Sequence, residues 1–448
     1  MLDRVVVQPS YIIFKDAGKI LAKNGKTGKT DYSGTDASTV IQSALNAISR
    51  GVVFICDGDY TLSTELLVTG DGKGIMGAGG ATKLTPPSGG YAISLGDGTT
   101  EYIGQFVRDI YINGSGSAYN GIRMRKSARS TIENVYMYYL GKGLYIYNCD
   151  NPRIYNVTIW RPMSYGIHCE QPSGVVNADY WFRGIRITQD TETNIAKGIY
   201  IDTGVNGVFM NDVLVTGSGI SDGITFSGSA SSGSFLNNVV VDNVYGDGIK
   251  FLGTTNRLVD VLINNSWIMS CRGYGLYVVG SSTQIHYGLQ VSNSVIRLNY
   301  KAGVRLEHAR HVMFQNCRIC DNFLENTSGA EYDTNLLIKG NTQATFDHCW
   351  FMWHYVTPSN RGRVVKIQIT SDNPNPITVK FSNCFFSDIS DSTKGRIGYG
   401  RDTTDRSLYI YLRDALVKDS TRSYDDLTGN GASSYDEVDT KLGATFQW

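Results

Sequence analysis

Charge of one sign, proline and long apolar runs are what this sequence lacks. It carries 41 Lys and Arg against 41 Asp and Glu over 448 residues. No global field therefore gathers nucleic acid or an anionic membrane to it, and neither is expected as a partner. No apolar run reaches the ~18 residues that a membrane-spanning helix needs. Met1 to Ser10 has neither the basic nor the apolar region of a signal peptide, so an extracellular, cell-surface or virion location would rest on a removed signal, another route or lysis. Only 9 prolines accompany 50 glycines, a balance suited to many tight corners with few breaks. P-loop and dinucleotide fingerprints are missing, so no cofactor is expected. The strand-turn-helix elbow of a Ser or Cys nucleophile is missing too.

What the chain has is a repeat. An apolar residue, any residue, Asn or Asp, a small or apolar residue, any residue and an apolar residue recur at Val107–Ile112, Ile132–Met137, Ile154–Ile159, Phe182–Ile187, Met210–Val215 and Leu236–Val241. The pattern continues at Ile263–Ile268, Val291–Ile296, Phe314–Ile319, Phe346–Phe351 and Phe381–Phe386. The period, roughly 22 to 35 residues, is that of a solenoid. Between most copies a Gly precedes alternating apolar residues, as at Gly121, Gly143, Gly166, Gly198, Gly223, Gly248, Gly275 and Gly303. Alternation at period two marks strands with one buried face.

Roughly three short strands per repeat, each pairing with its equivalent one coil away, predict an all-β, right-handed parallel β-helix of about eleven coils. The Asn column (Asp109, Asn134, Asn156, Asp212, Asn238, Asn265, Asn293, Asn316 and Asn383, with Gly184 and His348 as exceptions) fits a tight turn. Asn tolerates left-handed φ and can bond a stacked neighbour. A β-sandwich, the alternative, predicts no such column.

The 8 cysteines suggest a disulfide framework until they are set on the repeat. Cys317, Cys349 and Cys384 share one inward position just after the Asn, and Cys169 is inward on its Gly-Ile strand. Buried thiols stacked ~4.8 Å apart act as small hydrophobes. Cys317 and Cys320 have zinc-like spacing, but no second such pair accompanies them and no metal is expected.

Before the repeat, Tyr11 to Thr30 reads as one or two hairpins. Thr35-Asp36 then opens a helix whose Ala37, Val40, Ile41, Ala44, Leu45 and Ile48 share a face, with Gly51 ending it. An amphipathic helix suits the open end of a β-helix core, so it is expected to cap it. The sequence divides into an N-terminal appendage (1–34), the capping helix plus parallel β-helix (35–390), and a C-terminal cap or oligomerisation element (391–448).

The stretch Gly34-Thr-Asp36-Ala-Ser-Thr-Val-Ile41-Gln42-Ser-Ala44-Leu45, then Val52 to Tyr60, then Ile75-Met-Gly77-Ala-Gly79, resembles the pectate-lyase-like superfamily of β-helix proteins, which includes phage tailspikes and extracellular polysaccharide-active proteins. The family usually has Pro where this chain has Cys56. The resemblance covers residues 31–80 by motif and 81–390 by repeat style, and implies the fold more firmly than an activity. The His-Gly and Asp-Asp signatures of polygalacturonase-like relatives and the calcium-aspartate clusters of pectate lyases are not recognisable here.

Setting each residue in its column separates the faces. Two positions after the turn, Leu214, Val240, Trp267 and Val295 point outward in successive coils. An apolar stripe of that length calls for a covering, either a subunit interface, most naturally a homotrimer as in the tailspikes the chain resembles, or a loop folded over it. The Gly-Ile strands present Arg123, Tyr145, His168, Tyr200, Thr225, Lys250, Tyr277 and Arg305 outward. Aromatic rings interleaved with cations and hydroxyls suit a polysaccharide, a ring stacking on a sugar face and polar groups bonding its edge; they are also ordinary β-surface residues. His168 projects beside Glu170, with Asp202 expected to stack on Glu170 from the next coil, a set able to hold a cation or to serve as acid and base.

The residue preceding each Gly-Ile strand supplies the catalytic candidates. Asp222 and Asp247 occupy that position in successive coils, ~4.8 Å apart along the ladder, where like charges raise each other's proton affinity. A separation of ~5 Å would suit a retaining glycosidase and ~7–9 Å an inverting one. Lys197, Tyr200, Lys250 and Tyr277 would bind and orient the sugar, alongside Tyr145 and Arg305. Alternatively, Asp-Gly is a favoured turn and Lys197 neutralises Asp222 in a surface ion pair. The expected function is binding and cleavage of an extracellular or cell-surface polysaccharide by a hydrolase or lyase, with a non-catalytic surface, adhesin or structural protein as the alternative.

Overall fold

A computed structural model of the protein describes residues 8–172, 174–191, 196–202, 204–227, 232–253, 259–324, 334–353, 364–369, 377–388, 397–401, 408–413 and 416–418. The chain divides into two compact units, Met1–Tyr200 and Ile201–Trp448.

The first unit opens with antiparallel strands: Tyr11–Asp16 pairs with Lys19–Asn24, which pairs with Thr30–Gly34. The expected appendage is also stitched into the parallel sheet, since Tyr11, Ile12 and Ile13 lie in parallel register with Val53, Phe54 and Ile55. The helix Ala37–Ala47 begins at Asp36, whose carboxylate accepts from the Thr39 amide, and buries Ala37, Val40, Ile41, Ala44 and Leu45. It stops at Ala47 rather than running to Gly51, because Ile48 is already extended at ψ 141°. A buried Lys73 holds this end, its ammonium donating to the Leu45 carbonyl at 3.0 Å.

From Gly51–Ile55 the strands stack in parallel, each on its equivalent from the next coil. Phe106–Gly116 lies on Thr131–Tyr147, which lies on Arg153–Glu170, which lies on Tyr180–Thr188. The Gly-Ile strands form a second ladder, with Ile122 beside Leu144 and Leu144 beside Ile167.

The second unit repeats the scheme. Val208–Thr216 pairs with Ser234–Asp242, after which each coil carries two strands on this side, such as Val259–Asn264 and Trp267–Met269. The Gly-Ile ladder runs through Ile224–Ser227, Ile249–Leu252, Leu276–Val279 and Val304–Glu307. It continues through Leu336–Lys339, Val365–Ile369 and Ile397–Arg401, strands without the leading Gly-Ile signal. Leu408–Arg413 and Leu416–Lys418 extend the other ladders. The rest of the C-terminal element expected over 391–448 lies outside the described residues.

The Asn column is where the turn chemistry shows. Every member from Asp109 to Asn383, His348 and Gly184 included, has a φ between 50° and 67°. The side chains bond along the ladder: Asn134 donates to Asp109 at 2.9 Å, Asn156 to Asn134 at 3.2 Å and Asn316 to Asn293 at 2.8 Å. A left-handed residue with a Cβ costs about 1–2 kcal/mol, and the stacked amides offset part of that cost coil by coil.

Inside, like sits on like. Phe314, Phe346 and Phe381 stack with centroids 5.0 and 5.1 Å apart. Cys317, Cys349, Cys384 and Cys169 are all buried, and all 8 cysteines are free. Burial raises the Cys169 thiol well above its ordinary value. One interior ladder is polar: Asn299 donates to Asn322 at 2.8 Å and Asn322 to Asn335 at 2.9 Å, with Asn299 also accepting from the Cys271 amide.

The Gly of the Gly-Ile strand is explained by contact rather than by φ. A Cβ on Gly143 would stand 2.7 Å from both the Gly166 carbonyl oxygen and the Ile159 side chain. Gly143→Ala is therefore expected to destabilise the fold by about 1–3 kcal/mol through overpacking. Chemical denaturation of the variant beside the parent checks this, and an unchanged midpoint would refute it.

Candidate functional site

The Gly-Ile ladder carries its outward side chains in register. In the first unit Arg123 stands beside Tyr145 and Tyr145 beside His168. In the second, Thr225, Lys250, Tyr277 and Arg305 are successive neighbours. The ladder is not the flat, open face that alternation alone suggests. His168 is 8% exposed and Thr225 2%, and Tyr165, which precedes the His168 strand, stacks on the imidazole.

In the first unit the predicted Tyr145, His168, Glu170, Lys197 and Tyr200 come together around the imidazole. Tyr165 stacks on His168 at 4.6 Å, while Tyr145 and Tyr200 flank it, each at 5.4 Å. The Tyr145 hydroxyl donates to Glu170 Oε2 at 2.9 Å, and that oxygen lies 4.0 Å from His168 Nε2. Burial, then the bond to Glu170, holds the Tyr145 phenol well above its ordinary pKa. Lys197 lies over the Tyr200 ring at 3.8 Å, and Lys142 over Tyr145 at 5.0 Å. Further along, Arg123 makes a bidentate pair with Glu65, both contacts at 2.6 Å, and lies over Tyr91.

In the second unit the predicted catalytic pair converges on one ammonium. Lys250 Nζ is 2.8 Å from Asp247 Oδ2 and 3.7 Å from Asp222 Oδ2. Burial would lower the Lys250 pKa, and the charges of Asp247 and Asp222 outweigh it, so the group sits above its ordinary value. The other oxygens serve the backbone: Asp222 Oδ1 accepts from the Asp247 amide at 3.0 Å, and Asp247 Oδ1 from the Tyr274 amide at 2.9 Å. In the first unit Asn120 makes the same bond to the Lys142 amide, also at 3.0 Å. Next along, Arg305 is held by Glu307 Oε2 at 2.5 Å and donates to the Tyr274 hydroxyl at 2.9 Å, while Tyr274 and Tyr277 stack at 4.7 Å. Asp202 directly follows the strand Lys197–Ile201 and is half-buried in the second unit.

A family model described as the right handed beta helix region matches residues 86–239 and 222–413. The chain belongs to the right-handed β-helix family. Tailspike protein 3 of bacteriophage CBA120 is similar to this β-helix over 96% of the chain and 69% of that protein, at 14% identity and a TM-score of 0.60. The receptor-binding protein of bacteriophage Det7, a podoviral tailspike in a myovirus, is similar over 84% of the chain and 76% of its own, at 14% identity and a TM-score of 0.52. No curated protein matches the sequence. Among the described residues, no helix of the β-helix is long and apolar enough to cross a membrane.

Sequence reasoning left Tyr165, Tyr274, Lys142, Glu307 and Glu65, the partner of Arg123, outside the candidate site. Lys142, Tyr165 and Tyr274 belong to the column that yielded Asp222 and Asp247, and treating that whole column as functional would have found them. Glu65 carries no such signal, since it lies 58 positions from Arg123.

The Lys250 bridge makes a test. Lys250→Gln leaves two poorly exposed carboxylates without their ammonium and is expected to destabilise the protein by on the order of 2–4 kcal/mol. Adding Asp222→Asn and Asp247→Asn should restore much of the loss, because an amide oxygen keeps the backbone bond that Asn120 makes natively. Melting temperatures of the single and triple variants check this, and a triple variant no more stable than the single one would refute it.

Proposed function

We propose that this β-helix binds an extracellular or cell-surface polysaccharide along the Gly-Ile ladder and cleaves it with Asp222 and Asp247. The observation that carries the reading is the run of aromatic and cationic side chains along the Gly-Ile strands of each unit, with two carboxylates from successive coils of the second unit meeting at one lysine. Rings offer sugar faces a stacking surface while cations and carboxylates bond the hydroxyls. The likeness to phage tailspikes, one of them named a receptor-binding protein, supports a surface receptor as the ligand and a virion or extracellular location.

The two carboxylates are not equivalent. Asp247 holds Lys250 at 2.8 Å and Asp222 at 3.7 Å. In this reading one of the two carboxylates gives a proton to the departing sugar oxygen and the other acts as nucleophile or base. A second reading, binding without cleavage, is favoured by one fact: each Oδ1 is engaged by a backbone amide of the next coil, as Asn120 is in a position with no carboxylate.

Purified protein incubated with a panel of polysaccharides, assayed for new reducing ends and for unsaturated products, separates the two. Cleavage predicts fragments from the parent and a loss of about a thousandfold in Asp222→Asn or Asp247→Asn, with glycan affinity nearly unchanged. Full turnover in both variants would move the chemistry elsewhere. Retention of a glycan with no product from the parent would leave the binding reading alone.

The same proposal extends to assembly. Leu214, Val240, Trp267 and Val295 are ladder neighbours on the outer face of the second unit, and Trp267 is 50% exposed. Burying this stripe between subunits of a homotrimer removes apolar surface from water. Trp267→Asp is expected to shift the protein from trimer to monomer in sedimentation at micromolar concentration. A parent that is already monomeric there would remove the trimer.

A further inference from the structure

Five cations on or beside the Gly-Ile strands fall into two groups. Arg123 is matched by Glu65, Lys250 by Asp222 and Asp247, and Arg305 by Glu307. Lys142 and Lys197 are different. Among the described residues no carboxylate forms an ion pair with either ammonium, and their contacts are with aromatic rings. Lys142 Nζ lies 5.0 Å from the Tyr145 ring centre and 5.8 Å from that of Tyr165. Lys197 Nζ lies 5.8 Å from Tyr165 and 3.8 Å from Tyr200.

These ammoniums stand on either side of one ring. Lys142 is paired with Tyr165 in the ladder, and a Cβ on Gly166, next to Tyr165, would meet the carbonyl oxygen of Gly198, next to Lys197. Lys142, Tyr165 and Lys197 are thus three successive members of one column, with the lysine backbones about 10 Å apart at ~4.8 Å per step. All three are half-buried. The nearby carboxylate, Glu170, is engaged by the Tyr145 hydroxyl and approaches His168. A half-buried ring between two cations that no carboxylate pairs among the described residues is complementary to a sugar carrying negative charge. The ring takes the sugar face, and the ammoniums take anionic groups at its edges.

We propose that Lys142, Tyr165 and Lys197 form a subsite for an acidic sugar residue, so that the ligand of the ladder is an anionic polysaccharide. This rests on the polysaccharide-binding reading above. It adds a substrate class: neutral chains lack the charge that two unmatched ammoniums require to offset their partial desolvation. Carboxylate, sulfate and phosphate esters share the relevant chemistry and differ in the polymers that carry them.

The test measures affinity of the full chain for three arms of acidic polymer: polygalacturonate and alginate for carboxylate, chondroitin sulfate for sulfate, and a glycerol phosphate teichoic polymer for phosphate. Carboxyl-reduced polygalacturonate and dextran serve as neutral probes. The expected result is binding in at least one acidic arm that weakens as salt rises. Lys142→Gln with Lys197→Gln should weaken that binding at least tenfold, by about the screened attraction of two ammoniums, and flatten its salt dependence. Lys26→Gln, on the remote N-terminal hairpin, should leave it unchanged, and Tyr165→Ala should weaken acidic and neutral binding alike. Neutral polymers bound as tightly as acidic ones, with the double variant indistinguishable from the parent, would overturn the acidic subsite while the polysaccharide reading stands. Retention of no polymer in any arm would overturn both.

Discussion

Backbone pairing between equivalent strands of successive coils is the interaction on which the rest depends. At ~4.8 Å per step in parallel register, every residue meets its counterpart from the next repeat, so each column behaves as a one-dimensional stack. A stack rewards residues that tolerate their own kind: phenylalanine on phenylalanine, thiol above thiol, amide bonded to amide. The 5.0 Å spacing of Phe314 and Phe346 and the 2.8 Å bond between Asn316 and Asn293 are two expressions of that rule. It also accounts for Gly143, where a Cβ would meet the Gly166 carbonyl oxygen.

Charge is the exception that the stack has to manage. Like charges in adjacent coils repel, and the fold answers with ions arriving from the neighbouring column or from a distant strand. Asp222 and Asp247 follow one another and share Lys250, one column over. Arg305 takes Glu307 from its own strand, and Arg123 takes Glu65 from far back in the chain. Each carboxylate before the Gly-Ile strand also closes an otherwise unmatched amide of the next coil, the task that Asn120 performs without charge. One side chain therefore serves fold and site together, with Oδ1 turned to the backbone and Oδ2 to Lys250. At Lys142 and Lys197, which no carboxylate pairs among the described residues, aromatic rings stand in the place of one.

A recessed ladder also changes what the surface can do. An open sheet would leave His168 in water, whereas tyrosines at 4.6 and 5.4 Å enclose it and bring Glu170 within 4.0 Å. Ion–dipole and cation–ring contacts gain strength as water is excluded, so the same residues present a more selective surface than their exposure in an open sheet would provide.

Much of this was legible in the sequence because a solenoid writes its contacts locally. The Asn column predicted the left-handed turns, the exceptions Gly184 and His348 turn the same way, and the alternation in the Gly-Ile strands identified Tyr145, His168, Lys250, Tyr277 and Arg305 as ladder positions. The sequence also indicated the capping helix, though Ile48 lies beyond its end. Strands such as Leu336–Lys339 and Val365–Ile369 escaped notice, since they lack the glycine that marks the others. What only the tertiary structure decided is which side chains compensate which. Nothing in the local pattern says that Lys250 bridges two aspartates, that Glu65 reaches Arg123, or that Lys142 and Lys197 have rings for neighbours. Periodicity fixes the column a residue occupies, because strand pairing acts through the backbone. The direction and reach of a side chain between columns depend on the packing of neighbouring coils, which no single repeat contains.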